Sequence, residues 1–393
     1  MTKDEILSLI DNDYIISTRR KLHEYPEIAF DLPRTLALVK SELENMGIPY
    51  TEKYGKSSIV AYINPDCKKF TLGMRADMDA LPLQEKSGEP FSSKIDGAMH
   101  ACGHDAHTAI LLGAAKALKK IEDQLPCRCA LIFQACEEGY YTGAKLMVED
   151  GVMDEIDAVC GIHTEGLLPV GQLGICKGTA MGASHPFIVE FFGKTAHATQ
   201  PQNGVDALAM AVRFYTDLKI AYTIERNPLT DECVLAISAL NAGTTPNVTP
   251  DYAQLKISMR TFDPALDEKM TKRIYRLAEN IAEDAGGSCK ITEHLKAAVM
   301  VNDVALSERW IESAAKIVGR ENVRDVAKRI SSEDFSFFSQ KKPGAFFRVG
   351  IRNEEKGIIP KGHCNDYRMD DSGLYLASAV FVQFALDQKD YIE

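Results

Sequence analysis

Residues 99–107 read Met-His-Ala-Cys-Gly-His-Asp-Ala-His, which places three histidines, a cysteine and an aspartate within nine positions. An apolar pattern of helical period, Ile110, Leu111, Ala114, Ala115 and Leu118, begins directly after it. Any fold of this chain must therefore deliver a loop dense in metal-binding groups to the start of a core helix. Cys102 and His104 flank Gly103; an extended backbone points both side chains to one side, and the glycine lets the chain bend. A thiolate and an imidazole at that spacing suit a borderline divalent metal. The plain alternative is a helix start capped by Asp105, with histidines that are merely close.

Three further stretches put acidic or imidazole groups at the ends of expected strands. A β-type run over 70–74 leads into Arg-Ala-Asp-Met-Asp-Ala-Leu-Pro, so Asp77 and Asp79 share one face of an extended segment. A buried-type strand over 127–136 ends in Glu137-Glu138-Gly139, and adjacent carboxylates repel unless a cation is close. A short strand over 158–162 runs into His163-Thr164. In an open α/β sheet such ends line one edge, where sites gather. His23, in a charged helix before Pro26, reads as a solvated or capping residue, and Cys127 and Cys129 read as core.

The 393 residues are too many for one ordinary core. Near residue 180 the pattern changes to strand, helix, strand, strand, helix, strand, the order of a split βαβ unit. From 296 the αβ alternation returns, with a helix over 303–318, strands over 322–327 and 345–349, Ser-Ser-Glu-Asp-Phe at 331–335, Gly-His-Cys-Asn at 362–365 and a closing helix. The expected fold class is α/β. A catalytic domain over 1–180 and 296–393 has a mostly parallel central sheet flanked by helices, and an α+β ferredoxin-like domain is inserted over 181–295. The net charge of −11 argues against nucleic acid or an anionic membrane as partner. No apolar run approaches the ~20 residues of a membrane span, and the first residues lack a signal peptide's order. Ten scattered cysteines form no disulfide framework and point to a reducing, cytoplasmic setting.

Taken together, His-Ala-Cys-Gly-His-Asp-x-His, Arg-Ala-Asp-Met-Asp-Ala-Leu-Pro, Phe-Gln-x-x-Glu-Glu, Gly-Lys-Thr-Ala-His-Ala, Asn-Val-x-Pro-Asp, Ser-Glu-Asp-Phe and a late Gly-His resemble the aminoacylase-type dinuclear metallohydrolases. More narrowly, they are similar to the amidohydrolase branch of hippurate hydrolases, indoleacetyl-amino-acid hydrolases and N-acetyl-diaminopimelate deacetylases. The resemblance implies a zinc-exopeptidase-like catalytic domain, an inserted domain that makes a homodimer, and two divalent metal ions per subunit. By motif position it implies Cys102, His104, Glu138, His163 and His363 as metal ligands and Glu137 as the general acid/base. Asp79 is implied to orient either a ligating histidine or the Glu137 region. His197 is implied to reach an active site, often the partner's, as an oxyanion donor, with Asn247 and Arg260 holding the substrate's carboxylate. Asp77 stands where related branches carry a ligating histidine and stays outside the ligand set. Manganese is implied first, with zinc close behind, then nickel or cobalt. Five protein ligands cannot fill two coordination shells, which marks a catalytic rather than a structural site.

The sequence departs from that pattern at Cys136, at Tyr140-Tyr141, whose rings are expected to narrow the acyl pocket, and at Cys364, expected as a small neutral filler. The expected activity is hydrolysis of the amide bond of an N-acyl amino acid or a related conjugate. A dipeptidase or exopeptidase on the same fold is the nearest rival; its substrate's free amine would need an acidic partner. A cysteine hydrolase using Cys102 with His104 or His107 would ignore chelators. A non-catalytic metal-binding protein would have lost Glu137, which is present.

Overall fold

The computed structural model describes residues 1–139, 142–294 and 297–392, so the boundary expected at 295 and 296 lies outside the described residues. The chain divides into two compact units: Met1–Ala180 with Val301–Lys328 and Asp334–Glu393, and Met181–Met300 with Arg329–Glu333.

The first unit is built on an eight-stranded sheet in the order Tyr50–Thr51, Ile59–Ile63, Arg128–Gln134, Thr71–Asp77, Ala158–Pro169, Gly344–Arg352, Leu173–Ile175, Val323–Asp325. The four central strands are mutually parallel, and antiparallel pairs occur only toward the two sides. Parallel strands are covered on both faces, which is why Thr71–Asp77 is buried along its whole length. The helix His104–Lys120 makes the crossover to Arg128–Gln134, with Ile110, Leu111, Ala114, Ala115 and Leu118 fully buried. It packs beside the helices Asn12–Glu24 and Leu374–Asp387, the latter lying against Val304–Val318. Trp310 of that last helix stacks on Phe347 of the sheet at 4.1 Å.

Strand order creates the crevice. The chain leaves Thr71–Asp77 for Arg128–Gln134 on one side, then crosses back to Ala158–Pro169 on the other. Such a reversal opens a cleft beyond the carboxyl ends of the strands. The strand expected over 158–162 continues to Pro169, because Gly344–Arg352 pairs with it through His163 and Thr164. Leu173–Ile175 was not legible, since three residues carry no period.

In the second unit the strands run Ser288–Glu293, Ala183–Phe192, Tyr252–Thr261, Cys233–Ala242, all antiparallel. Counted along the chain this is 4-1-3-2, the ferredoxin-like arrangement. The helices Ala207–Glu225 and Pro264–Ala285 close its core over Phe187, Phe191, Phe214, Leu218 and Ile274. Among the described residues no helix is long and apolar enough to cross a membrane, and all ten cysteines are free thiols.

Candidate metal centre and active site

Gly103 does more than permit a bend: it adopts the left-handed conformation, φ +94°, and is itself the N-cap of His104–Lys120. Cys102 therefore ends the loop while His104 opens the helix, and the two side chains converge without an extended backbone. A Cβ at Gly103 would stand 2.4 Å from Thr164 Oγ1, so the loop also lies too close to the next strand for any other residue. Asp105 is not the cap. It is buried in the first turn, where Arg19 Nε donates to it at 2.8 Å and His23 Nδ1 lies at 2.8 Å. His23 is accordingly neither solvated nor a cap. It is 1% exposed, wedged between Asp105 and Glu85, whose Oε1 lies 3.2 Å from Nε2. Burial opposes its charge, but the two carboxylates outweigh burial and raise its pKa.

Backbone ties bring the remaining segments to this loop. Leu81 and Met99 exchange amide–carbonyl bonds of 3.0 Å, which seats the Asp79 turn beside it, and the His363 amide donates to the Ala101 carbonyl at 2.9 Å. Asp79 is 1% exposed and grips the acidic loop with both oxygens: Oδ1 accepts the Glu137 amide at 2.9 Å and Oδ2 the Glu138 amide at 3.0 Å. Its Oδ1 also lies 3.5 Å from His104 Nδ1. One carboxylate thus faces the histidine and the two glutamate amides together.

The donor atoms fall into overlapping groups, each within 4.8 Å: Cys102, His104 and His163; Cys102, Glu138 and His363; His104, Glu137 and Glu138. Ligand atoms ~2.0–2.3 Å from a common cation stand at such mutual distances. Cys102 Sγ lies 3.3 Å from His163 Nε2, and His363 Nε2 lies 3.1 Å from Glu138 Oε1. His163 Nδ1 donates to the Thr164 carbonyl at 2.6 Å, which leaves Nε2 with a lone pair turned toward Cys102. Burial, with His107 and Arg348 adding to it, keeps the His163 ring well below its ordinary pKa and so neutral. A thiol, a neutral imidazole with its lone pair presented and carboxylates set side by side fit a divalent cation pair. Cys136 and His363 both hold positive φ, +56° and +61°, and non-glycine strain of this kind costs ~1–3 kcal/mol and collects at functional sites.

A fourth group, Asp77, His104 and His107, meets the same distance test. Asp77 and His107 are already committed, however: Asp77 Oδ1 lies 2.5 Å from His107 Nδ1, and His107 Nε2 accepts the Thr164 amide at 2.8 Å. The second commitment also removes His107 as a base for Cys102. Beneath the site lies a buried network that sequence reading passed over. Arg75 donates to Asp77 at 2.7 Å, to Asp334 at 2.8 Å and to Gln134 at 2.8 Å, and Asp334 takes the Ala144 amide at 3.1 Å. An arginine inside an otherwise apolar strand was the available signal, because a buried guanidinium must be paired.

His197, Asn247 and Arg260 belong to the second unit. The turn carrying His197 pairs with the strand-like segment around Val248, through Ala198 donating to the Asn247 carbonyl at 3.0 Å and Thr249 donating to that of Ala196 at 2.9 Å. The exposed His197 ring accepts the Thr199 amide at Nδ1, 3.2 Å, which leaves the proton on Nε2. Arg260 is half-buried on Tyr252–Thr261 and reaches Ser332 Oγ at 3.3 Å. Tyr140 and Tyr141 lie outside the described residues.

The profile of "Peptidase family M20/M25/M40" matches residues 73–387. The chain belongs to this family. It is 36% identical over 364 residues to the N-acetyl-L-cysteine deacetylase of Bacillus subtilis, covering 93% of this chain and 85% of that one. It is 33% identical over 387 residues to the IAA-amino acid hydrolase ILR1-like 4 of Arabidopsis thaliana, covering 96% and 87%. The YXEP protein of Bacillus subtilis, described as a dinuclear metal binding peptidase from the M20 family, superposes with a TM-score of 0.78 at 29% identity, covering 96% and 98%. This M20 chain is a metal-dependent hydrolase acting on amide bonds, and M20 peptidases are dinuclear enzymes. In such a protein Asp79→Ala is expected to release both glutamate amides and lower kcat by about 10–100-fold, the effect typical of a lost outer-shell partner, measured as steady-state hydrolysis at saturating metal.

Proposed function

We propose that this M20 protein hydrolyses the amide of N-acyl amino acids or related conjugates, releasing a carboxylic acid and a free amine. The observation that carries the reading is the overlap of donor groups at Cys102 and His104, with Glu137 standing beside Glu138 in the group that contains His104. Cys102, His104, Glu138, His163 and His363 would hold two ions, manganese first and zinc second. When bound, the ions supply Lewis acidity toward the acyl carbonyl and acidify the attacking water. Glu137 takes the proton from that water and returns it to the leaving nitrogen. Asp79 keeps Glu137 and Glu138 in place through their amides, with Glu137 serving proton transfer while its neighbour faces His363.

His197 offers an Nε2–H donor whose tautomer the Thr199 amide sets, which suits a developing oxyanion. Asn247 and Arg260 hold the substrate's carboxylate, Arg260 through its bidentate fork. The second unit dimerises. Supporting this, Cys233–Ala242 is an edge strand with Val234 and Leu240 exposed, and Val212, Ile220 and Ile224 are exposed on Ala207–Glu225.

A panel of acetyl, benzoyl, indoleacetyl and peptidyl amino acids, assayed after manganese or zinc loading, tests the activity. Turnover of acyl amino acids that chelator abolishes and metal restores is expected. Turnover confined to free peptides favours the exopeptidase, and turnover that chelator leaves untouched favours a cysteine hydrolase. His197→Ala is expected to lower kcat by about 10²–10³-fold, the loss typical of one oxyanion donor, with metal content by elemental analysis unchanged.

A further inference from the structure

The parallel ladder between Thr71–Asp77 and Ala158–Pro169 ends at the Arg75–Gly161 pair, two residues short of His163. Beyond it the Thr164 amide is taken by a side chain instead: it donates to His107 Nε2 at 2.8 Å. That bond uses the ring's lone pair, so the proton sits on Nδ1, 2.5 Å from Asp77 Oδ1. Asp77 in turn is held by Arg75 at 2.7 Å. Thr164 is fixed a second time where its hydroxyl donates to the Cys102 carbonyl at 3.1 Å, and its own carbonyl accepts His163 Nδ1 at 2.6 Å. Asp77 and His107 are fully buried, and the His107 ring packs 4.8 Å from that of His163 and 5.3 Å from that of His104.

We propose that His107 is a positioning residue of the metal centre: bridging Asp77 and the Thr164 amide, it sets the backbone turn that aims His163 Nε2 at the metal pair beside Cys102. His107 ligates nothing itself, since neither nitrogen is available. The inference rests on the reading that Cys102, His104, Glu138, His163 and His363 hold metal, and it adds the means by which a strand whose ladder with Thr71–Asp77 has ended, while that with Gly344–Arg352 continues, still presents a ligand accurately.

Two substitutions separate the two ring bonds. His107→Asn keeps a donor where Nδ1 stands and loses the acceptor for Thr164; His107→Gln keeps an acceptor where Nε2 stands. Manganese and zinc affinities are measured by chelator competition on folded protein, alongside the ¹⁵N resonances of the histidine rings in the metal-free wild type. The dissociation constant is expected to rise about 10–100-fold in H107N, with H107Q clearly closer to wild type, and the His107 ring is expected to carry its proton on Nδ1. A folded H107N that binds metal as tightly as wild type overturns the inference, as does a wild-type His107 ring protonated on Nε2, which decides the matter even where a variant fails to fold. Wild-type protein that takes up no metal overturns the underlying metal reading as well.

Discussion

Glu137→Gln is expected to lose turnover by at least 10³-fold while metal content and folding stay at wild-type levels. The amide is isosteric with the carboxylate, and the Glu137 backbone bond to Asp79 is untouched by the change. The loop therefore keeps its geometry, and Glu138 keeps its place by His363. What disappears is the carboxylate assigned to accept a proton from water and deliver it to the leaving amine. General acid–base help is worth about 10²–10⁴-fold, and Glu137 serves on both sides of the tetrahedral intermediate. The loss should fall on kcat and kcat/KM alike, since an uncharged glutamine still fills the space and leaves substrate binding unaltered. Steady-state kinetics with elemental analysis of the same samples checks it, and retained turnover would refute the proton-transfer role.

Arg75→Ala is expected to be among the most destabilising single substitutions in the chain, by about 3–5 kcal/mol. Arg75 is completely buried and is the cation shared by Asp77 and Asp334, both also buried. Removing it takes the shared guanidinium away from two buried carboxylates, and the cost comes from their poorer compensation inside the protein more than from the lost attraction. Arg75→Lys should recover little, because one ammonium cannot reproduce bonds to Asp77, Asp334 and Gln134 from three different nitrogens. The measurement is the urea midpoint at unchanged slope. Loss of the metal-site loop should accompany unfolding, since Asp334 also holds the Ala144 amide at the start of the helix that follows the two glutamates.

The two variants also mark the division between what the sequence displays and what it conceals. Cys102, His104, Glu137 and Glu138 announce themselves locally: each stands past a strand end or at a helix start, where period and turn chemistry are readable within a few residues, whereas His163 lies inside Ala158–Pro169. The helix after His107 and the sandwich order of the second unit are likewise products of short-range patterning. The tie between Arg75 and Asp334 spans 259 positions, and that between His23 and Asp105 spans 82. No local period encodes such pairs. His23 was misread for this reason: in its own helix it has charged neighbours, and only the fold brings Asp105 and Glu85 around it. Gly103 shows a milder version, since the glycine was legible as a bend, whereas its contact with Thr164 depends on a strand 61 positions away.

The most direct test is anomalous diffraction from crystals grown with manganese or zinc supplied. The account predicts two peaks per chain about 3.5–4 Å apart, with Cys102, His104, Glu138, His163 and His363 as the protein ligands and Glu137 facing the ions without coordinating both. A single peak, or peaks that leave Cys102 or His363 without metal, would contradict it.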